Sequence, residues 1–180
     1  MVFNDSDIKI AGDKPSIDVK RNIKAQNEEV SFSGEKEKAT LWGQAVAREF
    51  IADSDKNPLN DECDYEMTIQ RRLLLSFTST IGFEQYSSDD SFCGMAQKGF
   101  LDTLKKEAPE LYNTAEDTGA FSFYYLAFRR GGDVVRRIGQ TFAMLCSHDG
   151  DPVYQELGEA LYCWFTSVVK REEAQISDRK

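Results

Sequence analysis

The chain holds little of what catalytic and metal-binding sites are usually made from. Histidine occurs once, at His148, which excludes histidine-clustered metal sites and two-histidine acid–base chemistry within one chain. The four cysteines, Cys63, Cys93, Cys146 and Cys163, form no CxxC pair. That spacing suits neither a zinc ribbon nor a disulfide scaffold, so reduced thiols are expected. No run approaches the roughly 18 consecutive apolar residues of a membrane helix. The opening stretch MVFNDSDIKIAGDKP lacks the basic-then-apolar order of a signal peptide, and a cytoplasmic protein is the expectation. Positive charge is also scarce, with 22 Lys and Arg against 31 Asp and Glu for a net charge of −9. Such a field repels nucleic acid and anionic lipid, so neither is expected as a partner. Internal repeats and low-complexity tracts are absent, and no cofactor or metal is expected.

What the chain does contain is material for one packed interior. Hydrophobic residues make up 41% of the 180 positions and aromatics 12%, with 12 Phe and 7 Tyr. That is too apolar for disorder and suits one domain with a polar lead. Residues 1–34 are polar with short alternating pieces, and read as a flexible or loosely docked arm or a small hairpin around Gly12 to Pro15.

From Ser33 the pattern turns helical, with Ser33 as N-cap and Trp42, Val46 and Phe50 repeating every four residues as far as about Asp53. Tyr65, Ile69, Leu73, Phe77 and Ile81 make the clearest stripe, on a helix over about Glu62 to Tyr86 expected to be central. Ser87 to Asp90 supply caps for a third helix that Pro109 stops. A fourth begins near Asp117 or Thr118 and carries Phe121, Tyr124, Tyr125 and Phe128 before Gly131 and Gly132 end it. Asp133 caps a fifth, whose apolar face includes Ile138 and Phe142. Asp151, with Pro152 behind it, caps a sixth that frays from about Glu172. Short connections then predict an all-α single compact bundle, or an orthogonal array, of five to six helices over 35–175, with 176–180 a frayed tail.

Three clusters carry chemistry worth weighing. Asp53, Asp55, Asn57, Leu59, Asp61 and Asp64 match the ligand spacing of an EF-hand calcium loop. Pro58 stands where that loop needs a freely turning residue and Asp64 where it needs a bidentate Glu, so the stretch reads as an acidic turn between helices. Arg129, Arg130, Arg136 and Arg137 bracket Gly131 and Gly132 at a helix N-terminus, the ingredients of a phosphate or carboxylate site. The plainer reading is a glycine helix end with solvated arginines. Among cysteines, Cys146 and His148 lie two residues apart, which on a helix points them to different sides. Cys63 and Cys93 fall near helix starts, where thiols gain reactivity, but neighbouring aspartates oppose the thiolate.

Two short stretches are similar to motifs of the Bcl-2 family: Leu41-Trp42-Gly43-Gln44-Ala45-Val46-Ala47 to its BH1 stretch, and Val135-Arg136-Arg137-Ile138-Gly139-Gln140-Thr141-Phe142 to its BH3 stretch. Gln44 replaces the family's arginine, Gln140 its aspartate, and the two stretches occur in reversed order. No family is assigned on them; they do bring to mind that helical bundles receive partner helices in apolar grooves.

Most of the aromatics between Phe121 and Phe128 and from Tyr162 to Phe165 are expected to fill the core, and any surplus the two helices cannot bury would form an exposed apolar patch of the kind that marks protein contacts. The expectation is a non-enzymatic interaction or regulatory module for a protein partner or a second copy, with Phe123, Tyr125 and Trp164 as contact residues. The alternative is a small-anion (phosphate or carboxylate) ligand-binding or catalytic bundle built on Arg129, Arg130, Arg136 and Arg137.

Overall fold

The computed structural model describes residues 17–58, 65–116 and 118–178. Every regular element among them is helical: α1 (Ile17–Lys56), α2 (Tyr65–Tyr86), α3 (Asp90–Glu107), α4 (Pro109–Glu116), α5 (Ser122–Arg129), α6 (Val134–Leu145) and α7 (Pro152–Ser177), with a 3-10 turn at Thr118–Phe121. The chain divides into two units, Met1–Gly34 and Glu35–Lys180. In the first, residues 17–34 are helical, so Ser33 is not an N-cap and regular structure begins at Ile17, well ahead of where the sequence pattern predicts. Gly12 to Pro15, the hairpin alternative, lie outside the described residues. The described residues of the second unit are all-α, with seven helices in place of the expected five to six.

The extra helix comes from Pro109. It does stop α3, which ends at Glu107, but it also opens α4, because a fixed φ and a missing N–H cost nothing at a first helical position. Apart from Ser33, caps form where the sequence pattern places them. The carboxylates of Asp89, Asp133 and Asp151 accept backbone N–H bonds from Phe92, Arg136 and Val153 respectively, satisfying donors that the helix itself leaves open. α7 continues to Ser177 with Ile176 buried, so no fraying starts at Glu172.

α2 lies at the centre, packed by α3, α4, α6, α7 and the 3-10 turn. Its middle is buried on every side: Leu74, Leu75 and Phe77, but also Ser76, Thr78 and Ser79. The Thr78 and Ser79 hydroxyls donate to the carbonyls of Leu74 and Leu75 at 2.7 and 2.9 Å, which lets polar side chains sit in the interior.

Two aromatic clusters fill the core. Trp42 meets Phe83 edge-on at 4.9 Å and Phe92 at 5.9 Å, while Phe50 packs with Phe100 and Phe165. The Trp42 Nε1–H donates to the Val169 carbonyl at 2.9 Å, tying α1 to α7. In the second cluster Phe77 of α2 receives Phe121, Tyr124, Tyr125 and Phe128, with ring centroids 5.2 to 6.3 Å apart. Glycines set the closest helix crossings. A Cβ on Gly43 would fall 1.9 Å from the Ala96 carbonyl oxygen, and one on Gly99 would fall 2.5 Å from that of Thr40, so α1 and α3 touch backbone to backbone.

Only the first part of the acidic stretch falls among the described residues. Asp53 and Asp55 belong to the helix. The Asp53 carboxylate is held by Arg71, whose Nε and Nη2 donate at 2.9 and 2.6 Å, a bidentate pair that uses both carboxylate oxygens. Leu59, Asp61, Asp64 and Cys63 lie outside the described residues.

Candidate functional site

Helix α5 has only eight residues, SFYYLAFR, and carries apolar side chains on more faces than α2 can cover. Tyr124 and Ala127 are buried, and Tyr125 and Phe128 pack partly against the core. Phe123 and Leu126 are left in solvent, 53% and 56% exposed. Gly131 and Gly132 then take positive φ angles of 68° and 74°, a conformation that side-chain-bearing residues adopt at a cost. The chain reverses there, Asp133 caps α6, and α6 packs against α5.

Together α5 and α6 line a groove of 660 Å³. From α5 come Phe123, Leu126 and Ala127, with Arg130 at its C-terminal cap; from α6 come Arg137, Gln140, Thr141 and Met144. Each set follows the i, i+3, i+4, i+7 spacing of one helical face. Arg130 and Arg137 flank the glycine turn, whereas Phe123 and Met144 stand at the opposite ends of their helices, so the groove is cationic toward one end and apolar toward the other. Met144 is 41% exposed. Behind α6, Gly139 and Gly158 allow α7 so close that a Cβ on Gly139 would fall 2.5 Å from the Gln155 carbonyl oxygen. Gln155 thereby joins Asp149 and Gly150 in the groove wall.

The residues singled out from sequence separate into different places. Phe123, Arg130 and Arg137 meet in the groove. Tyr125 sets its ring edge against Phe77 and lies under the Arg129 guanidinium, 5.5 Å from the ring centre. Arg136 is exposed. Trp164 sits on α7, 40% exposed, beside a smaller 230 Å³ recess shared with Asp53, Arg71, Leu157, Ala160 and Leu161. Leu126 and Met144 were not singled out, because a leucine or methionine at helical spacing ordinarily reads as core; the crowding of apolar residues on all faces of α5 is the signal that points to the former.

Nothing about the described cysteines, Cys93, Cys146 and Cys163, resembles an activated nucleophile. Burial pushes the Cys146 thiol up to about 12, with Glu66 adding to the effect, and burial likewise raises Cys93 and the exposed Cys163. His148 stacks on Tyr154 with centroids 3.8 Å apart. The described residues contain no group of three or more His, Cys, Asp or Glu side chains arranged to hold a metal ion, and none of their helices is long and apolar enough to cross a membrane.

Two consequences of the buried thiol are measurable. Cys163 is expected to react with a thiol reagent before Cys146, which reacts only on unfolding. An unfolded Cys146 ionises near 9.0 and the folded one near 12, so its contribution to stability is complete below pH 9 and is lost as pH rises toward 12. Burial raises the Tyr124 hydroxyl well above its ordinary value and acts in the same direction above pH 10. Melting curves across pH 8 to 12 check the slope, and Cys146→Ala should flatten its lower part.

No family model, curated protein or solved structure matches the chain. The stretches similar to Bcl-2 motifs have packing roles: Trp42 and Gly43 bind α1 to α7 and α3, while Ile138, Gly139 and Phe142 form the buried face of α6.

Proposed function

We propose that the protein is a non-enzymatic helical interaction module whose working surface is the groove between α5 and α6. The observation behind this reading is the exposure of Phe123, Leu126 and Met144, three large apolar side chains lining one groove. Grouped apolar exposure weakens solubility and marks contact surfaces in folded proteins, whereas single exposed apolar residues mean little. Trp164, on its smaller recess, is the weaker candidate for that reason.

Substitution separates a docking role from a packing role. Leu126→Asp and Met144→Asp should leave the melting temperature within about 2 °C of wild type, because exposed positions contribute little to folding. The same changes should abolish binding of amphipathic helical peptides, tested as a panel of both net charges. A large fall in melting temperature, or peptide binding that ignores both substitutions, removes the proposal.

The small-anion reading uses Arg130 and Arg137 without the apolar residues. Its distinguishing result is a phosphate-dependent rise in melting temperature that Arg130→Glu with Arg137→Glu abolishes and Leu126→Asp leaves intact.

A further inference from the structure

Building on the docking role of the groove, we propose that its occupant is an acidic amphipathic helix of a partner protein. Apolar side chains of that helix would cover Phe123, Leu126 and Met144, and its carboxylates would meet Arg130 and Arg137.

Charge argues for this occupant. The chain carries a net charge of −9, yet residues 118–148 hold four arginines and a single carboxylate, that of Asp133. That carboxylate is engaged in capping α6. Elsewhere Arg71 pairs with Asp53, and Arg171 with Glu49 and Glu172. Arg130 and Arg137 pair with no carboxylate among the described residues, and Asp149 is the sole acid in the groove wall. Their positive charge is therefore available, in a molecule with carboxylates to spare. At physiological ionic strength charges beyond about 8 Å are largely screened, so the local arginines rather than the distant surplus of acids govern a docked segment. Electrostatic complementarity of this kind fixes orientation and partner choice.

Shape argues for a helix. Two lining stripes of eight residues each, 123–130 and 137–144, span about 10 Å along their axes, enough for about two turns of a partner helix presenting anchors at i, i+3, i+4 and i+7. A phosphate ion would use the arginines and leave the apolar wall in water.

The test is fluorescence anisotropy of the full chain with a labelled amphipathic peptide bearing leucines at those spacings and glutamates elsewhere, against the same peptide with lysines for glutamates. The glutamate peptide should bind, weaken with added salt, and lose at least about tenfold in affinity when Arg130 and Arg137 both become Glu. The lysine peptide should bind wild type weakly and the doubly substituted chain better. The comparison of the two peptides on wild type needs no substitution, so misfolding of a variant cannot blur it. Equal or tighter binding of the lysine peptide, still abolished by Leu126→Asp, overturns the acidic partner and leaves the groove as a docking site. Failure of both peptides overturns both. A mass that rises with concentration and falls back with Leu126→Asp makes a second copy the occupant and also overturns the proposal, as does the phosphate result given above.

Discussion

Trp42→Ala is expected to bring the protein close to unfolding under native conditions. The indole is fully buried, meets Phe83 and Phe92, and donates to the Val169 carbonyl. Removing a buried ring of this size costs about 3 to 5 kcal/mol. Losing the indole bond to a carbonyl that keeps its intrahelical donor within α7 adds about 0.5 to 1.5 kcal/mol. The two terms overlap and do not simply add, but even the lower figure is a large share of the roughly 5 to 15 kcal/mol that holds a domain together. Trp42→Phe keeps a ring and loses the donor, so it should cost less than half as much. Urea denaturation of the three proteins gives the order; a Trp42→Ala chain as stable as wild type would mean that the indole is not where the fold places it.

Gly43→Ala should destabilise by about 3 kcal/mol or more, against the direction that helix propensity predicts. Alanine in a helix interior ordinarily gains about 1 kcal/mol over glycine. At Gly43 the added carbon falls 1.9 Å from the Ala96 oxygen and 2.7 Å from the Phe100 nitrogen, both backbone atoms that cannot rotate away. The helices must separate, which puts the cost at the upper end of overpacking effects, about 3 kcal/mol. Gly94 on α3 is the control, since nothing lies within 4 Å of its Cβ position, and Gly94→Ala should stabilise by up to about 1 kcal/mol. Opposite signs at the two glycines are the expected result of paired urea melts. The same sign at both would remove the close α1–α3 crossing.

Local features were legible in the sequence where their cause is local. Asp89, Asp133 and Asp151 are recognisable as N-caps because a cap depends on a few neighbouring residues. The stripe through Phe77 and Ile81 marks α2 because helical spacing and burial coincide there. Four things were hidden. Residues 17–34 have no apolar stripe to announce a helix, and α4 is too short to show one. The burial of Ser76, Thr78 and Ser79 depends on α2 being surrounded, which no single helix reveals. The groove was visible only in pieces, as an aromatic cluster and an arginine cluster, because it is the turn at Gly131 and Gly132 that brings Phe123 and Met144 to one surface with Arg130 and Arg137.

The methionines offer the most direct view of that surface. Of the four in the chain, Met144 stands exposed in the groove, whereas Met67 and Met95 are partly buried elsewhere. In a methyl NMR spectrum of the methionine-labelled protein, adding the glutamate-bearing amphipathic peptide should shift the Met144 resonance and leave those of Met67 and Met95 in place. A Met144 signal that stays fixed while the peptide binds would contradict the assignment of α5 and α6 as the working face.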